Sequence, residues 1–100
     1  MKKQLLLFIS QLLPLVAMAD AVEIDGIYYN LISKAKRAGV TSKPSGKYSG
    51  AITIPESVNN KSITYSVTSI GEEAFSYCTG LTSIEIPNSV TSIDNFAFDC

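Results

Sequence analysis

The sequence predicts a mostly β repeat fold, with parallel strands stacked at a 23-residue period and a β-hairpin cap in front. Three observations carry this. The phrase VTSIGEEAF at Val67–Phe75 returns as VTSIDNFAF at Val90–Phe98, 23 residues later. The pattern I-x-I-P-x-S-V occurs at Ile52–Val58 and again at Ile84–Val90, 32 residues apart. Both copies alternate apolar and polar residues before a proline, the signature of a strand with one buried face.

The chain of 100 residues has room for one small domain. Its first nineteen residues read as an export signal outside that domain. Lys2 and Lys3 precede an apolar run from Leu5 to Val16, and Ala17-Met18-Ala19 supplies the small-x-small pattern of a signal-peptidase site. The run is too short to span a bilayer, and Ser10, Gln11 and Pro14 interrupt it. Cleavage is expected after Ala19, or failing that after Ala21. Removing 1–19 takes away Lys2 and Lys3, leaving six of eight cationic residues against nine acidic ones, a net charge of −3. That balance gives no reason to expect nucleic acid or acidic lipid as a partner, and no transmembrane segment is expected in the mature chain. Two cysteines, Cys78 and Cys100, do not make a disulfide scaffold.

Residues 20–48 are expected to form the cap and a loop. Val22–Leu31 alternates partly around Asp25-Gly26, whose tolerance of positive φ favours a type I′ hairpin turn. Ser33–Tyr48, rich in Lys, Gly and Pro, reads as a polar loop with a short strand near Gly39–Thr41. Residues 49–100 hold the repeats: 49–66 a first irregular coil, 67–89 a full repeat, 90–100 an incomplete one. The nine extra residues of the first coil fall between Val58 and Val67. There Asn59–Ser62 followed by Ile63-Thr64-Tyr65 reads as a turn and a return strand, a hairpin inserted into the coil. In the full repeat, Ala74, Phe75, Cys78 and Leu81 are spaced for one face of a short helical turn, with Glu72 and Glu73 at its start and Gly80 at its end.

The residues Leu81-x-x-Ile84-x-Ile86-Pro87-x-Ser89-Val90-x-x-Ile93, preceded by Ala74-Phe75-x-x-Cys78, resemble the BspA-type leucine-rich repeat family. The match covers Tyr48–Phe98 closely and the front of the chain loosely. The resemblance implies a leucine-rich-repeat solenoid on an exported bacterial surface protein that adheres to host matrix proteins, host cells or other microbes. This chain departs from the family pattern at Asp94, where Gly71 has its counterpart, and at Ser89, which stands where commoner leucine-rich repeats carry Asn or Cys. Cys100 aligns with Tyr77 and not with Cys78, so a Cys78–Cys100 disulfide is not expected.

Catalytic, cofactor-binding and metal-binding residues are expected to be none. The chain has no histidine, which excludes serine–histidine and cysteine–histidine catalysis and histidine-containing zinc sites. Adjacent Glu72 and Glu73 would not converge on one substrate. Cys78 lies between Phe75 and Leu81 and reads as a buried small hydrophobe. Lys34-Ala35-Lys36-Arg37 reads as a solvated cluster. The remaining candidates are the outward strand positions Thr82, Ser83, Glu85, Thr91 and Ser92, expected to line one flat polar sheet, together with Tyr65. Solenoids recognise proteins through such extended faces. The favoured function is a non-catalytic protein-binding module; the alternative is a structural cap with no ligand of its own.

The pattern breaks off within a repeat, which reads as part of a longer repeat protein. Apolar side chains near Ile93, Phe96 and Phe98 are then expected to stand exposed, and fewer than about three repeats seldom suffice for stability. Residues 20–100 alone are expected to be marginally stable; a cooperative, high-temperature calorimetric melt of that fragment as a monomer would refute this.

Overall fold

The computed structural model describes residues 21–99 and contains eight strands and no helix among them. The expected export signal at 1–19 and the thiol of Cys100 lie outside the described residues. The strands are β1 (Val22–Ile24), β2 (Ile27–Ile32), β3 (Arg37–Thr41), β4 (Gly50–Thr53), β5 (Ser57–Asn60), β6 (Ile63–Ile70), β7 (Leu81–Glu85) and β8 (Ser92–Ile93). One sheet runs β1-β2-β3-β6-β5, with β8 also on β6, and β4 and β7 form a second sheet of two strands.

The hairpin expected at Asp25-Gly26 forms. Ile24 pairs with Ile27, and Asp25 and Gly26 both take positive φ, 52° and 88°. That combination matches the right-handed twist of the strands it joins. The Gly26 amide donates to Glu23 Oε2 at 2.7 Å, fixing the turn further.

The polar stretch after it is not simply a loop. The chain turns at Ser33–Lys36, where the Lys36 amide donates to the Ser33 carbonyl at 3.3 Å, and returns as β3, paired antiparallel with β2 over five residues. Only two small apolar residues, Ala38 and Val40, face the core from β3, and both are buried. The short strand expected near Gly39–Thr41 is thus present and starts two residues earlier, where so few apolar positions among so many lysines leave little periodicity to read. Gly39 between them allows close approach: a Cβ there would lie 2.6 Å from Ser69 Oγ on β6.

The inserted hairpin is also present. Lys61 and Ser62, both at positive φ, link β5 to β6, and Val58 pairs with Tyr65. The return strand does not stop there. It continues into the next segment as the eight-residue β6. Along one side β6 pairs parallel with β3, from Ser66 opposite Arg37 to Ile70 opposite Val40. Along its other side it pairs first with β5, antiparallel, and then with β8, parallel. Gly71 and Asp94 extend the two parallel ladders, the Gly71 amide donating to the Val40 carbonyl at 2.8 Å and the Asp94 amide to the Ile70 carbonyl at 2.9 Å.

The parallel pairings follow the sequence copies. Ser69 pairs with Ser92 and Ile70 with Ile93. Ile52 pairs with Ile84 and Thr53 with Glu85. Val40, Ile70 and Ile93 therefore form one row across three strands. Ile70, in the middle, is fully buried at 0 % exposure, whereas Ile93 is 51 % exposed. Phe96 and Phe98 are exposed on the same segment.

The segment expected to be a helical turn is instead a chain of tight turns. Amides of Ala74, Ser76 and Cys78 donate to the carbonyls of Gly71, Glu73 and Phe75. Glu73 and Tyr77 break any helix by adopting positive φ, 59° and 56°. The alternate amides point sideways: Phe75 N donates to Ala97 O at 2.7 Å and Tyr77 N to Asp99 O at 2.9 Å. Ser76 Oγ adds a bond to Asp99 O at 3.1 Å. These amides serve the neighbouring segment, which an i→i−4 helix would forbid. Phe96 repeats the positive φ of Glu73, and the rings of Phe75 and Phe98 stack at 5.3 Å with an interplanar angle of 6°. The spacing of Ala74, Phe75 and Cys78 does put all three in the core.

Tyr48 closes that core from the loop after β3. Its ring lies 4.9 Å from Phe75. Its hydroxyl donates to Thr41 O at 2.7 Å and accepts from Tyr28 N at 3.0 Å. Burial raises the Tyr48 pKa, partly offset by the Tyr28 hydrogen bond. Tyr29, also buried, is pushed up to about 12, chiefly by burial and then by the charges of Tyr48 and Asp25.

Two outcomes are expected. Ile70→Ala removes a fully buried side chain and should cost about 2–5 kcal/mol, whereas Ile93→Ala at its half-exposed partner should cost less than about 1 kcal/mol; urea unfolding of the full chain measures both. Tyr29 holds its proton more tightly folded than unfolded, so its contribution to stability is fully present below pH 10 and is lost as pH rises toward 12. Ultraviolet titration should show a tyrosine ionising about two units late, coincident with unfolding.

Candidate binding face

A strand with one face on the core presents alternate side chains to solvent, and β4 and β7 do this together. Ile52 and Ile84 pack against the core, and Ala51, Thr53, Ser83 and Glu85 are exposed. Register sets Ala51 opposite Ser83 and Thr53 opposite Glu85. Thr82 lies at an irregularity: Gly50 pairs with Leu81 and Ala51 with Ser83, so Thr82 has no partner across the ladder. Such a bulge re-aims the extra side chain, and Thr82 is exposed.

Thr91 and Ser92 are exposed as well, but they belong to the other sheet, where Ser92 pairs with Ser69 and the Thr91 amide donates to Thr68 O at 2.9 Å. The five polar positions expected on one flat sheet are thus divided between two. The reason lies in Pro87 and its neighbours: the chain leaves β7 at Glu85 and does not re-enter a ladder until Ser92, on β6. Tyr65 is a correction. It is 4 % exposed, facing inward with Val67 two residues on along β6, and presents no ring to a ligand.

The other tyrosines divide similarly. Tyr29 and Tyr48 are buried and Tyr28 is half-buried, whereas Tyr77 is 60 % exposed with Lys47 Nζ 6.0 Å from its ring centre. Ala51 and Thr53 were not among the expected site residues. Their signal was available, since aligning I-T-I-P-E-S-V with I-E-I-P-N-S-V puts Thr53 at the position of Glu85 and, two residues before, Ala51 at that of Ser83.

The β4–β7 face is polar and carries a single carboxylate, Glu85. Hydroxyls and one fixed charge on a flat strip can hydrogen-bond a partner and select against acidic surfaces. They do not enclose a reacting centre. Cys78 is buried in the core and Glu72 and Glu73 are exposed at the turn. Among the described residues no group of three or more His, Cys, Asp or Glu side chains could hold a metal ion, and no helix is long and apolar enough to cross a membrane.

A family model described as "BspA type Leucine rich repeat region (6 copies)" matches residues 51–100. The structure is similar to that of a leucine-rich repeat protein from Bacteroides ovatus, at 35 % identity and a TM-score of 0.69, over 77 % of this chain and 20 % of that one. It is also similar to a leucine rich cell surface protein from Faecalibacterium prausnitzii, at 32 % identity and a TM-score of 0.65, over 80 % of this chain and 21 % of that one. The chain therefore spans about one fifth of the length of these solved relatives. No curated protein matches it.

Proposed function

Because the chain belongs to the BspA-type leucine-rich repeat family, we propose that it is an exported, non-catalytic protein-binding module whose stacked coils present the β4–β7 face to a partner. The family as a whole is a family of leucine-rich repeats, generally binding modules without catalysis. The observation that carries the reading is the separation of faces: Ile52 and Ile84 are committed to the core, while Ala51, Thr53, Ser83 and Glu85 stand in register with nothing of the described chain upon them. Pairing of Ser69 with Ser92 and Ile70 with Ile93 supports a solenoid with a 23-residue step. Extended faces of stacked repeats are suited to proteins, because contact area accumulates layer by layer.

The reading extends to location and partner. The basic start, apolar run and A-x-A of 1–19 favour export, and one relative is described as a cell surface protein. A surface position suits adhesion to host matrix, host cells or other microbes. Thr82, Ser83 and Glu85 with Thr53 form the favoured contact strip, and Thr91 and Ser92 on the second sheet a secondary one.

The test is capture of purified extracellular-matrix proteins by the immobilised full chain. Ser83→Arg combined with Glu85→Arg should weaken capture at least about tenfold, since like charge or bulk at an interface costs more than about 1.4 kcal/mol, with the circular dichroism spectrum unchanged. Equal capture by the variant sinks the site. Absence of capture by the parent chain favours the alternative, a structural cap that supports other repeats and binds nothing itself.

A further inference from the structure

The hairpin turn of β1–β2 does more than reverse the chain. Together with the segment from Thr53 to Asn59 it bounds a cavity of about 420 Å³. This lies within the range of small-ligand sites, roughly 300–1,000 Å³. Ile24, Ile27, Pro55 and Val58 supply apolar walls. Among the described residues Asp25 supplies the one carboxylate of the lining, and no cationic side chain lines it. The turn does not need that carboxylate, because the Gly26 amide is bound by Glu23 instead. Among the described residues no hydrogen bond or ion pair engages the Asp25 side chain.

A second observation concerns Tyr29. It is 1 % exposed, lines the same cavity and feels the charge of Asp25. Among the described residues its hydroxyl makes no hydrogen bond. The hydroxyl is not sealed from water, since among the described residues the buried side-chain polar atom that lacks a partner is Ser89 Oγ. Here the phenol, which remains protonated far above neutral pH, offers a donor and an acceptor beside an unpaired carboxylate.

We infer that this cavity is a binding site for the side chain of a lysine or arginine from a protein partner. Such a side chain is amphipathic along its length: an aliphatic stem that gains from apolar walls and a cationic head that needs an anion. Ile24, Ile27 and Val58 meet the stem, and Asp25 meets the head, where a charge-assisted hydrogen bond is roughly twice as strong as a neutral one. An acidic ligand would meet Asp25 as a like charge, and a purely apolar one would cover Asp25 without giving its charge a partner. The site adjoins the β4–β7 contact strip at Thr53, which belongs to both, and is otherwise lined by different residues. It rests on the protein-binding reading only for the source of the basic side chain.

The experiment is a 15N–1H NMR titration of the full chain with the blocked peptide acetyl-Ala-Arg-Ala-amide, and with its lysine counterpart. Saturable shifts are expected at Ile24, Gly26, Val58 and Asn59. The same peptide carrying citrulline, which has the shape of arginine without its charge, should bind at least about fivefold more weakly. Asp25→Asn should weaken binding of the arginine peptide about tenfold or more while leaving the spectrum elsewhere intact, because Asn-Gly serves a type I′ turn as well as Asp-Gly. Glu72→Gln, which removes a carboxylate remote from the cavity lining, should change nothing. Equal binding of the citrulline peptide, an unaffected Asp25→Asn variant, or shifts confined to other surfaces would overturn the site. Matrix-protein capture that survives such a result overturns the cavity alone, and peptide binding that survives a loss of capture overturns the strip alone.

Discussion

Strand β6 is the element on which the rest depends, because both of its backbone edges are occupied by different partners. A strand offers two rows of amides and carbonyls, and burying either row unpaired is costly. On one side β3 takes Ser66 to Ile70; on the other, β5 takes Ile63 to Ser66 and β8 takes Ser69 and Ile70. The front hairpins, the inserted hairpin and the repeated segment thus meet on eight residues. Val67 and Ile70 at that meeting point are fully buried.

The repeated turns obey a related constraint. Phe75 and Tyr77 give their amides to carbonyls of the 97–99 segment, and the left-handed residues Glu73 and Phe96 occupy equivalent places. A helix would have consumed those amides internally. Stacking of the two turns through backbone bonds, with Phe75 on Phe98 and Ala74 and Ala97 both buried, binds one layer to the next where no strand is available. Two small residues at these places let the backbones approach, and two aromatic ones fill what remains.

Much of this was legible in the sequence. Copies at fixed spacing gave the parallel registers, and Asp25-Gly26 and Asn59–Ser62 gave two of the hairpins, because turn chemistry is local and repetition is its own alignment. Strand β3 was legible only in part: the short strand expected near Gly39–Thr41 lies within it, but Ala38 and Val40 bury too little to mark its full length, and what orders them is β6, some thirty residues away. The helical spacing of Ala74, Phe75 and Cys78 identified the right core residues and the wrong backbone, since the competing hydrogen-bond acceptors lie on another segment. The candidate site shows the same division. Alternation placed Ser83 and Glu85 outward, but which strands would share a sheet with them depends on pairing that no single window contains. Tyr65 was misread for want of one fact, that its strand runs unbroken through Val67 and so keeps both on the inner side. Asp25 was recognised for its turn, and its place beside Tyr29 in a cavity was visible only once the Thr53–Asn59 segment had been set across from it.

The junction along β6, where the antiparallel mate β5 gives way to the parallel mate β8, separates length from phase. The nine extra residues before Val67 are absorbed as a sideways excursion, and Ile70 still has Ile93 opposite it. A chain so built tolerates genetic insertion at that corner without slippage of the layers beyond. The protruding ribbon can change in length or composition without altering the pairing of Ile70 with Ile93.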